Sequence, residues 1–220
     1  MSRPLVNCRT VAALLCVTLL RAVNLPAQTP PAPQFRFAFA LDNEAKIHSV
    51  LVYRGAEQIQ SLDICAGHDI PRTAELGELV REDFNFDGYP DLVMRTAYDP
   101  QTENSSYCIW LYDSNAQRFV PSKELSELSN PRPDLDAHTI TAQKNERCAG
   151  SCYNRQVYKW QTGHLQRIRE ESLTEDPIVA PESSCRYVLA IKTQKRSKLV
   201  ETSRQRVDSG GVKCEPHTPC

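Results

Sequence analysis

One short stretch of this sequence, residues 83–91, carries oxygen-bearing side chains at a regular spacing. They stand at its first, third, fifth and ninth positions and are Asp83, Asn85, Asp87 and Asp91. Calcium takes about six to eight hard oxygen ligands, which short loops supply from alternate side chains and from a main-chain carbonyl at the seventh position. The seventh position here is Tyr89. The pattern therefore predicts a calcium site formed by the four side chains and the Tyr89 carbonyl.

The neighbours of these donors indicate the kind of loop. Gly88, at the sixth position, permits the sharp turn that folds such a loop around an ion. A helical EF-hand would carry a bidentate Glu at the twelfth position, which is Met94 here. Pro90 and the apolar run at residues 91–94 predict instead a loop that continues directly into a β-strand. A polar turn without metal is the alternative, because Asp, Asn and Gly are also common turn residues.

No pattern in the sequence points to catalysis. There is no G-x-S-x-G, no H-E-x-x-H and no phosphate-binding glycine loop. The five histidines are scattered without metal-ligand spacing. A Cys–His nucleophile would compete with disulfide formation in an exported protein. We therefore expect a protein that is not an enzyme.

The first 27 residues have the pattern of a secretory signal peptide. A basic start is followed by an apolar core at residues 11–20 and a cleavage region at residues 25–27. That core is too short for a transmembrane helix, which needs about 20 apolar residues. The sequence therefore predicts a periplasmic or secreted protein with no stable membrane insertion, starting with a Pro-rich spacer at residues 28–34.

Nine cysteines occur in the chain, and those beyond residue 27 are Cys65, Cys108, Cys148, Cys152, Cys185, Cys214 and Cys220. An oxidising compartment favours disulfides. Cys148 and Cys152 flank a Gly-Ser turn and are predicted to pair locally. A long-range Cys65–Cys108 bridge and a local Cys214–Cys220 bridge are both compatible with the sequence. An odd number leaves at least one thiol free or paired with another molecule.

Short apolar runs separated by turns dominate the remaining sequence. The runs alternate apolar and polar residues and are rich in β-branched and aromatic side chains, as strands are. Turn residues separate residues 154–160 from residues 165–171, which is a hairpin signature. A short helix is predicted at residues 122–129, with Ser122 as its N-cap.

About ten strands at steady spacing predict one all-β domain over residues 35–206. An irregular, Cys-containing tail follows at residues 207–220. Charge is unevenly distributed, because residues 69–146 carry 15 acidic and 7 basic side chains. Such an acidic region would steer a cationic partner. Nucleic acid is not an expected partner of an exported, net acidic chain without a reader motif.

Two resemblances to known families rest on these residues. Residues 83–93 are similar to the calcium loop of FG-GAP and related β-propeller repeats, with the pattern D-x-N-x-D-G-x-x-D-L in one copy. A longer pattern over about residues 45–175 resembles the Xanthomonas periplasmic immunity proteins that are paired with type IV secretion peptidoglycan-hydrolase effectors. Its segments, in order, are Ile59-Gln60-Ser61-Leu62, the calcium loop, residues 107–113, Arg118-Phe119-Val120, residues 124–131 and Tyr158-Lys159-Trp160.

The second resemblance implies β-propeller-like antiparallel sheets with one calcium-binding loop. It also implies binding and inhibition of a lysozyme-like peptidoglycan hydrolase or secreted effector. Such an inhibitor would insert a loop into a cleft that holds paired carboxylates. The donors that the sequence offers for this are Tyr107, Tyr112, Tyr158, His138 and His164. The alternative is a structural or adhesive β module that calcium stabilises and that inhibits nothing.

Overall fold

The computed structural model describes residues 33–65, 70–71, 79–148, 151–178 and 185–214. These residues form fourteen β-strands and one short helix, and every strand pairing is antiparallel. The predicted all-β class is confirmed, whereas a propeller-like arrangement of the sheets stays a prediction. The predicted signal peptide, most of the Pro-rich spacer and Cys220 lie outside the described residues. In the described part of the chain, no helix is long and apolar enough to cross a membrane.

The first sheet, sheet A, contains the strands β1 (Arg36–Leu41), β2 (Lys46–Arg54), β3 (Glu57–Asp63) and β4 (Ile70–Pro71). Its order is β1-β2-β3, and β4 also pairs with β2. Phe35 and Phe37 pack against Phe119 of the next sheet, at ring-centroid distances of 5.4 and 6.0 Å. The side-chain amide of Gln60 accepts a hydrogen bond from the Phe119 N–H and donates one to the Phe119 carbonyl. These contacts fasten sheet A to its neighbour.

Sheet B has the order β5-β6-β7-β8. Its strands are β5 (Leu79–Glu82), β6 (Asp91–Asp99), β7 (Asn104–Asp113) and β8 (Arg118–Pro121). Successive side chains of a strand point to opposite faces of the sheet. Leu92 and Trp110 accordingly belong to a core shared with sheet A, whereas Val93 and Ile109 belong to a second core on the other face. Burial on both faces explains why residues 91–94 form a continuous buried run.

Sheet C has the order β14-β13-β12-β11-β10-β9. Its strands are β9 (Arg132–Asp134), β10 (Thr139–Asn145), β11 (Tyr153–Gln161), β12 (His164–Glu175), β13 (Tyr187–Lys195) and β14 (Lys198–Val207). The predicted hairpin is confirmed as β11–β12. Its two central residues, Thr162 and Gly163, both have positive φ, 48° and 82°, which matches the right-handed twist of the flanking strands.

Sheets B and C are joined by the side chain of Asn130. Its Oδ1 accepts a hydrogen bond from the Ser105 N–H at 2.9 Å, and its Nδ2 donates to the Gln143 carbonyl at 3.0 Å. Asn130 has φ of 46°, a conformation that Asn tolerates better than most residues. The amide therefore satisfies main-chain groups of both sheets at one point.

The predicted helix over residues 122–129 is wrong in its length. The helix α1 covers Lys123–Ser126, and Ser122 precedes it without a side-chain capping hydrogen bond. The chain is instead tied to β7, because the Ser122 N–H donates to the Ile109 carbonyl and the Ile109 N–H donates to Ser126 Oγ at 3.0 Å. This pairing with a strand holds the segment to a single turn, with Leu125 buried beneath it.

Three disulfides connect described cysteines. Cys65 pairs with Cys108 and joins sheet A to sheet B, and Cys148 pairs with Cys152 as predicted. Cys185 pairs with Cys214, so the local Cys214–Cys220 bridge is wrong. The chain turns back after β14, where Val207 and Lys213 pair through an isolated antiparallel β-bridge of the main chain. This turn brings Cys214 close to Cys185, which precedes β13. Disulfides of this number are typical of proteins in oxidising compartments.

Candidate calcium loop and the hairpin beside it

The predicted calcium loop connects β5 to β6, and its donor side chains turn onto its own main chain. Asp83 accepts hydrogen bonds from the N–H groups of Asp87 and Gly88, at 3.2 and 2.9 Å. Asn85 Oδ1 accepts from the Asp87 N–H at 3.2 Å, and Asp87 Oδ1 accepts from the Tyr89 N–H at 2.9 Å. Each such bond uses only part of the acceptor capacity of a carboxylate or amide oxygen. The remaining lone pairs are available to a cation.

Two residues of the loop have left-handed backbone conformations. Gly88, with φ of 86°, makes the sharp turn that the sequence predicts. Phe86, with φ of 61°, is a non-glycine residue in a region that bulky side chains rarely occupy. Its ring stacks on that of His138 at a centroid distance of 5.2 Å and an interplanar angle of 12°. This contact attaches the loop to the turn between β9 and β10.

Asp91 ends the loop and is fully buried. Its two carboxylate oxygens accept hydrogen bonds from the main-chain N–H of Phe84 at 2.7 Å and of Tyr112 at 2.8 Å. Burial raises the pKa of Asp91 to about 7, the two N–H donors oppose that rise, and the nearby charges of Asp87 and Asp83 add to it. The first and last turns of the loop are therefore held together by an acid that sits among like charges.

The donor set suits a hard cation. Within the described residues, no Lys, Arg or His forms an ion pair with Asp83, Asp87 or Asp91. The same residues contain no group of three or more His, Cys, Asp or Glu side chains that could hold a metal ion. A cation here would therefore depend on the Asn85 amide and the Tyr89 carbonyl as well as on carboxylates. Oxygen donors of this mixed kind are those that calcium prefers, and the site stays a prediction.

Trp160 connects this loop to the β11–β12 hairpin. Its Nε1 donates a hydrogen bond to the main-chain carbonyl of Phe84 at 2.8 Å. Both side chains belong to the core between sheets B and C, where Phe84 is 1% exposed. Phe84 thus gives its N–H to Asp91 and its carbonyl to Trp160. A change in the loop would be transmitted directly to the base of the hairpin.

The tip of the hairpin, residues 161–164, is exposed at all four positions. Glu124 of α1 supports it from one side. The carboxylate lies 2.8 Å from His164 Nδ1 and accepts a hydrogen bond from the Leu165 N–H at 2.7 Å. The Leu165 N–H and the His164 side chain lower the pKa of Glu124. The tip is therefore a supported turn rather than an isolated loop.

Residues 154–169 of this hairpin contain four cationic residues, Arg155, Lys159, Arg167 and Arg169, and no Asp or Glu. Three of them are neutralised nearer the base of the hairpin, because Arg155 and Arg169 form ion pairs with Glu171 and Arg167 forms one with Glu170. The tip itself offers the Gln161 amide, the His164 imidazole, whose Nδ1 lies against Glu124, and the Thr162 hydroxyl, which donates to the Gln161 carbonyl. The four tip residues carry no carboxylate of their own, and the Glu124 carboxylate beside them is engaged by His164 and by the Leu165 N–H.

The other donors that the sequence offered lie in different surroundings. Tyr112 is only 4% exposed and packs against Phe119, so it is wrong as a partner-contacting residue. The Tyr158 hydroxyl is half-buried and donates to the Gln156 side chain. His138 is exposed but stacks on Phe86 of the predicted calcium loop, and Tyr107 lines a groove between sheets B and C. His164 alone of the five belongs to the hairpin tip.

Sequence reasoning did not identify Trp160 or Glu124 as supports of the site. The alternation of residues 154–160 places Trp160 on an inward face, but Phe84 is 76 residues away in sequence. Glu124 was predicted to lie in a helix, and nothing in the sequence indicated that it would contact the turn of a hairpin 40 residues later. Only the folded chain brings these residues to the loop and the hairpin.

No protein-family model and no curated protein sequence matches this chain. Among solved structures, the chain is similar to a Xanthomonas type IV secretion system related protein. The two share 15% sequence identity and a TM-score of 0.54, over 76% of this chain and 85% of the other. At this identity, the likeness shows a shared fold.

Proposed function

We propose that this chain is an exported, calcium-binding β protein that binds and inhibits a lysozyme-like peptidoglycan hydrolase, in an immunity or lysozyme-inhibitor role. The observation that carries the proposal is the exposed hairpin tip, residues 161–164, whose own side chains include hydrogen-bonding groups and no carboxylate, and whose neighbouring Glu124 is engaged by His164 and the Leu165 N–H. Its attachment to the predicted calcium loop through Trp160 gives calcium a part in the same function. The shared fold with a type IV secretion system related protein supports the proposal.

The tip suits the chemistry of the target. Lysozyme-like clefts hold two carboxyl groups that flank the scissile bond. The Gln161 amide would donate hydrogen bonds to these acids, and His164 would offer its Nε2, since its Nδ1 is engaged by Glu124; charge-assisted bonds to carboxylates are among the stronger ones. The Thr162 hydroxyl would join them on leaving the Gln161 carbonyl. The Glu124 carboxylate is taken up by His164 and the Leu165 N–H, and a further acid at the tip would repel the cleft. A tight turn that Glu124 already supports loses little conformational entropy on binding.

Calcium would act through support of the hairpin. Asp83, Asn85, Asp87, Asp91 and the Tyr89 carbonyl would hold the ion, which would offset the negative charge of the loop. Ordered loop residues would then keep the Phe84 carbonyl in place beneath Trp160. We expect calcium removal to weaken inhibition by loosening the hairpin base, with no catalytic role for the ion.

The test is clearance of a peptidoglycan suspension by several lysozyme classes in the presence of increasing amounts of the mature protein. We expect at least one class to be inhibited at a stoichiometric ratio. Gln161→Glu should weaken that inhibition by at least about tenfold, because it brings a carboxylate to the acidic cleft. Gln58→Glu, which changes an exposed glutamine of β3 in the same way, is the matched control.

Two results would overturn the proposal. One is the absence of inhibition of every hydrolase at stoichiometric excess, together with no hydrolase captured from periplasmic extract. The other is equal inhibition by the Gln161→Glu and Gln58→Glu proteins. The first result would favour the structural or adhesive module, which shares the calcium loop but needs no hairpin tip.

A further inference from the structure

A groove of about 790 Å³ lies between sheets B and C beside the predicted calcium loop. Its volume is within the range of ligand-binding clefts, about 300–1,000 Å³. The residues that matter for its chemistry are Val80, Arg81, Arg95, Tyr107, Arg132 and Leu135. None of them belongs to the hairpin tip or to the predicted calcium ligands.

The groove meets two strands edge-on. Four consecutive residues, 80–83, line the groove; the first three belong to β5 and the fourth follows it directly. Three consecutive residues, 131–133, at the start of β9 also line it. Because neighbouring side chains of a strand point to opposite faces, consecutive residues can line one groove only when the strand presents its edge. Among the described strands, β5 pairs with β6 alone and β9 pairs with β10 alone. Each strand therefore has one edge without a strand partner in the described chain.

The edge of β5 is the more suitable of the two for main-chain pairing. An added strand needs free N–H and C=O groups along the edge. β9 contains Pro133, which has no N–H, and follows Pro131. β5 contains no proline over Leu79–Glu82. Its four residues offer about 13 Å of extended backbone, at about 3.3 Å per residue.

Three arginines, Arg81, Arg95 and Arg132, give the groove its charge. None of them is ion-paired with any residue that the structure describes. Two acids, Glu82 and Asp83, also line the groove, and both Asp83 oxygens accept hydrogen bonds from the calcium loop. The guanidinium groups are therefore available to carboxylates, which they bind through paired N–H donors.

Apolar contacts accompany the arginines. Val80 is 39% exposed and Leu135 is 58% exposed, one on each side of the groove. Tyr107 lies across from Arg95, to which it is paired in the β6–β7 ladder. An extended peptide presents alternate side chains to opposite sides and can satisfy charged and apolar contacts together. A small anion would leave the apolar surface uncovered.

We propose that this groove binds an extended acidic peptide segment of a partner protein, added as a strand to β5, with its carboxylates at Arg81 and Arg132. This site goes beyond the inhibition of a hydrolase and does not depend on it. The partner is defined by its chemistry, alternating acidic and apolar residues in an unfolded or terminal segment. Arg95 is half-buried, with its guanidinium 5.6 Å from the centre of the Tyr98 ring, and would contact the middle of the peptide.

The experiment uses a fluorescein-labelled hexapeptide of alternating Glu and Val, titrated with the mature protein by fluorescence anisotropy. We expect binding that weakens with salt. Arg81→Gln and Arg132→Gln should each weaken it by at least about tenfold, since each removes a charge-assisted hydrogen bond. Arg118→Gln, at an exposed arginine of β8 outside the groove, should leave it unchanged. Hydrogen exchange should show that the peptide protects the amides of β5.

Competing ligands separate this site from its alternatives. A Lys-Val peptide of the same length should not bind, and an acidic peptide methylated on alternate main-chain nitrogens should bind much more weakly. Equal binding of the methylated peptide, or equal competition by citrate, would overturn strand addition in favour of a small-anion site. Tighter binding of polygalacturonate than of the peptide at the same arginines would overturn the peptide in favour of an acidic polysaccharide. No binding of any of these ligands would also overturn the proposal, whatever the hydrolase assay shows.

Discussion

The indole of Trp160 and the main-chain carbonyl of Phe84 form a hydrogen bond of 2.8 Å that joins the β11–β12 hairpin to the loop between β5 and β6. The N–H of the same Phe84 donates to Asp91 at the far end of that loop. The peptide unit before Phe84 is therefore held by sheet B, through Asp91, and the peptide unit after it is held by sheet C, through Trp160. Loop order and hairpin position are therefore linked through a single residue.

The first prediction concerns calcium. A ligand that binds only the folded state at a hundredfold excess over its dissociation constant stabilises it by about 2.7 kcal/mol. Chelation should then lower the melting temperature by roughly 5–10 °C for a chain of this size. Asp87→Ala should remove most of this response, whereas Asp63→Ala, at an exposed position of β3, should retain it. Identical melting curves with calcium and with chelator, together with no heat of calcium binding, would contradict the predicted site.

The second prediction concerns Trp160. Trp160→Phe keeps an aromatic ring but removes the donor to the buried Phe84 carbonyl, which should cost about 1–3 kcal/mol of stability. Amide exchange at residues 161–164 should become faster at the same time. Tyr158→Phe, which removes a side-chain hydrogen bond on the same strand, is the control and should leave exchange at the tip unchanged. Equal exchange at the tip in wild type and Trp160→Phe would show that the hairpin does not depend on this bond.

The third prediction is a pH dependence at Glu171. Burial alone would raise the pKa of this carboxyl, but its bonds with Tyr153 and Arg169 and the charge of Arg155 outweigh burial and lower the pKa from its ordinary value of 4.5. A carboxyl group whose pKa is lower in the folded state than in the unfolded state stabilises the fold at pH values above its unfolded-state pKa. This stabilisation is lost as the pH falls through the folded-state pKa. Glu171→Gln should therefore be less stable than wild type at pH 7, and the difference should shrink on acidification below pH 4.5. Thermal melts at several pH values would measure it, and a difference that is constant with pH would contradict it.

The fourth prediction compares two disulfides. The Cys185–Cys214 bridge spans 29 positions, whereas Cys148–Cys152 spans 4. Loop-closure entropy assigns about 3.5 kcal/mol to the longer bridge and about 2 kcal/mol to the shorter one. Replacement of both cysteines by serine should therefore destabilise the protein more at the first pair, as denaturant titrations would measure. Mass mapping of non-reduced peptides checks the pairing itself, and a Cys214–Cys220 peptide would contradict the structure.

Local patterns predicted much of the fold. Alternation and turn residues predicted an all-β chain, and the apolar run after the loop predicted a loop that continues directly into a strand, which is β6 (Asp91–Asp99). The hairpin around Thr162 and Gly163 could also be predicted from the local sequence, because a two-residue turn requires a particular backbone geometry and therefore particular residues. These features depend on neighbours within a few residues, which is the range over which a single sequence is informative.

Features that depend on distant partners could not be predicted in this way. The helix at residues 122–129 was too long because its first turn pairs with β7, whose Ile109 is thirteen positions before Ser122. Cys214 was compatible with the nearby Cys220, and only the turn after Val207 brings it to Cys185. The arginines of the groove come from β5, β6 and β9, so no window of the sequence contains them together.

The burial of β6 on both faces of sheet B has a consequence for which parts of the protein unfold locally and which only globally. Amides in the most enclosed strands exchange with solvent only when the whole molecule unfolds, whereas peripheral strands open locally. Leu92 and Met94 face one core and Val93 faces the other, so β6 belongs to this slowest class. The predicted calcium loop leads directly into β6 at Asp91. An ion held there would therefore raise the free energy of global unfolding, and the survival of the protein against proteases would follow the calcium concentration around it.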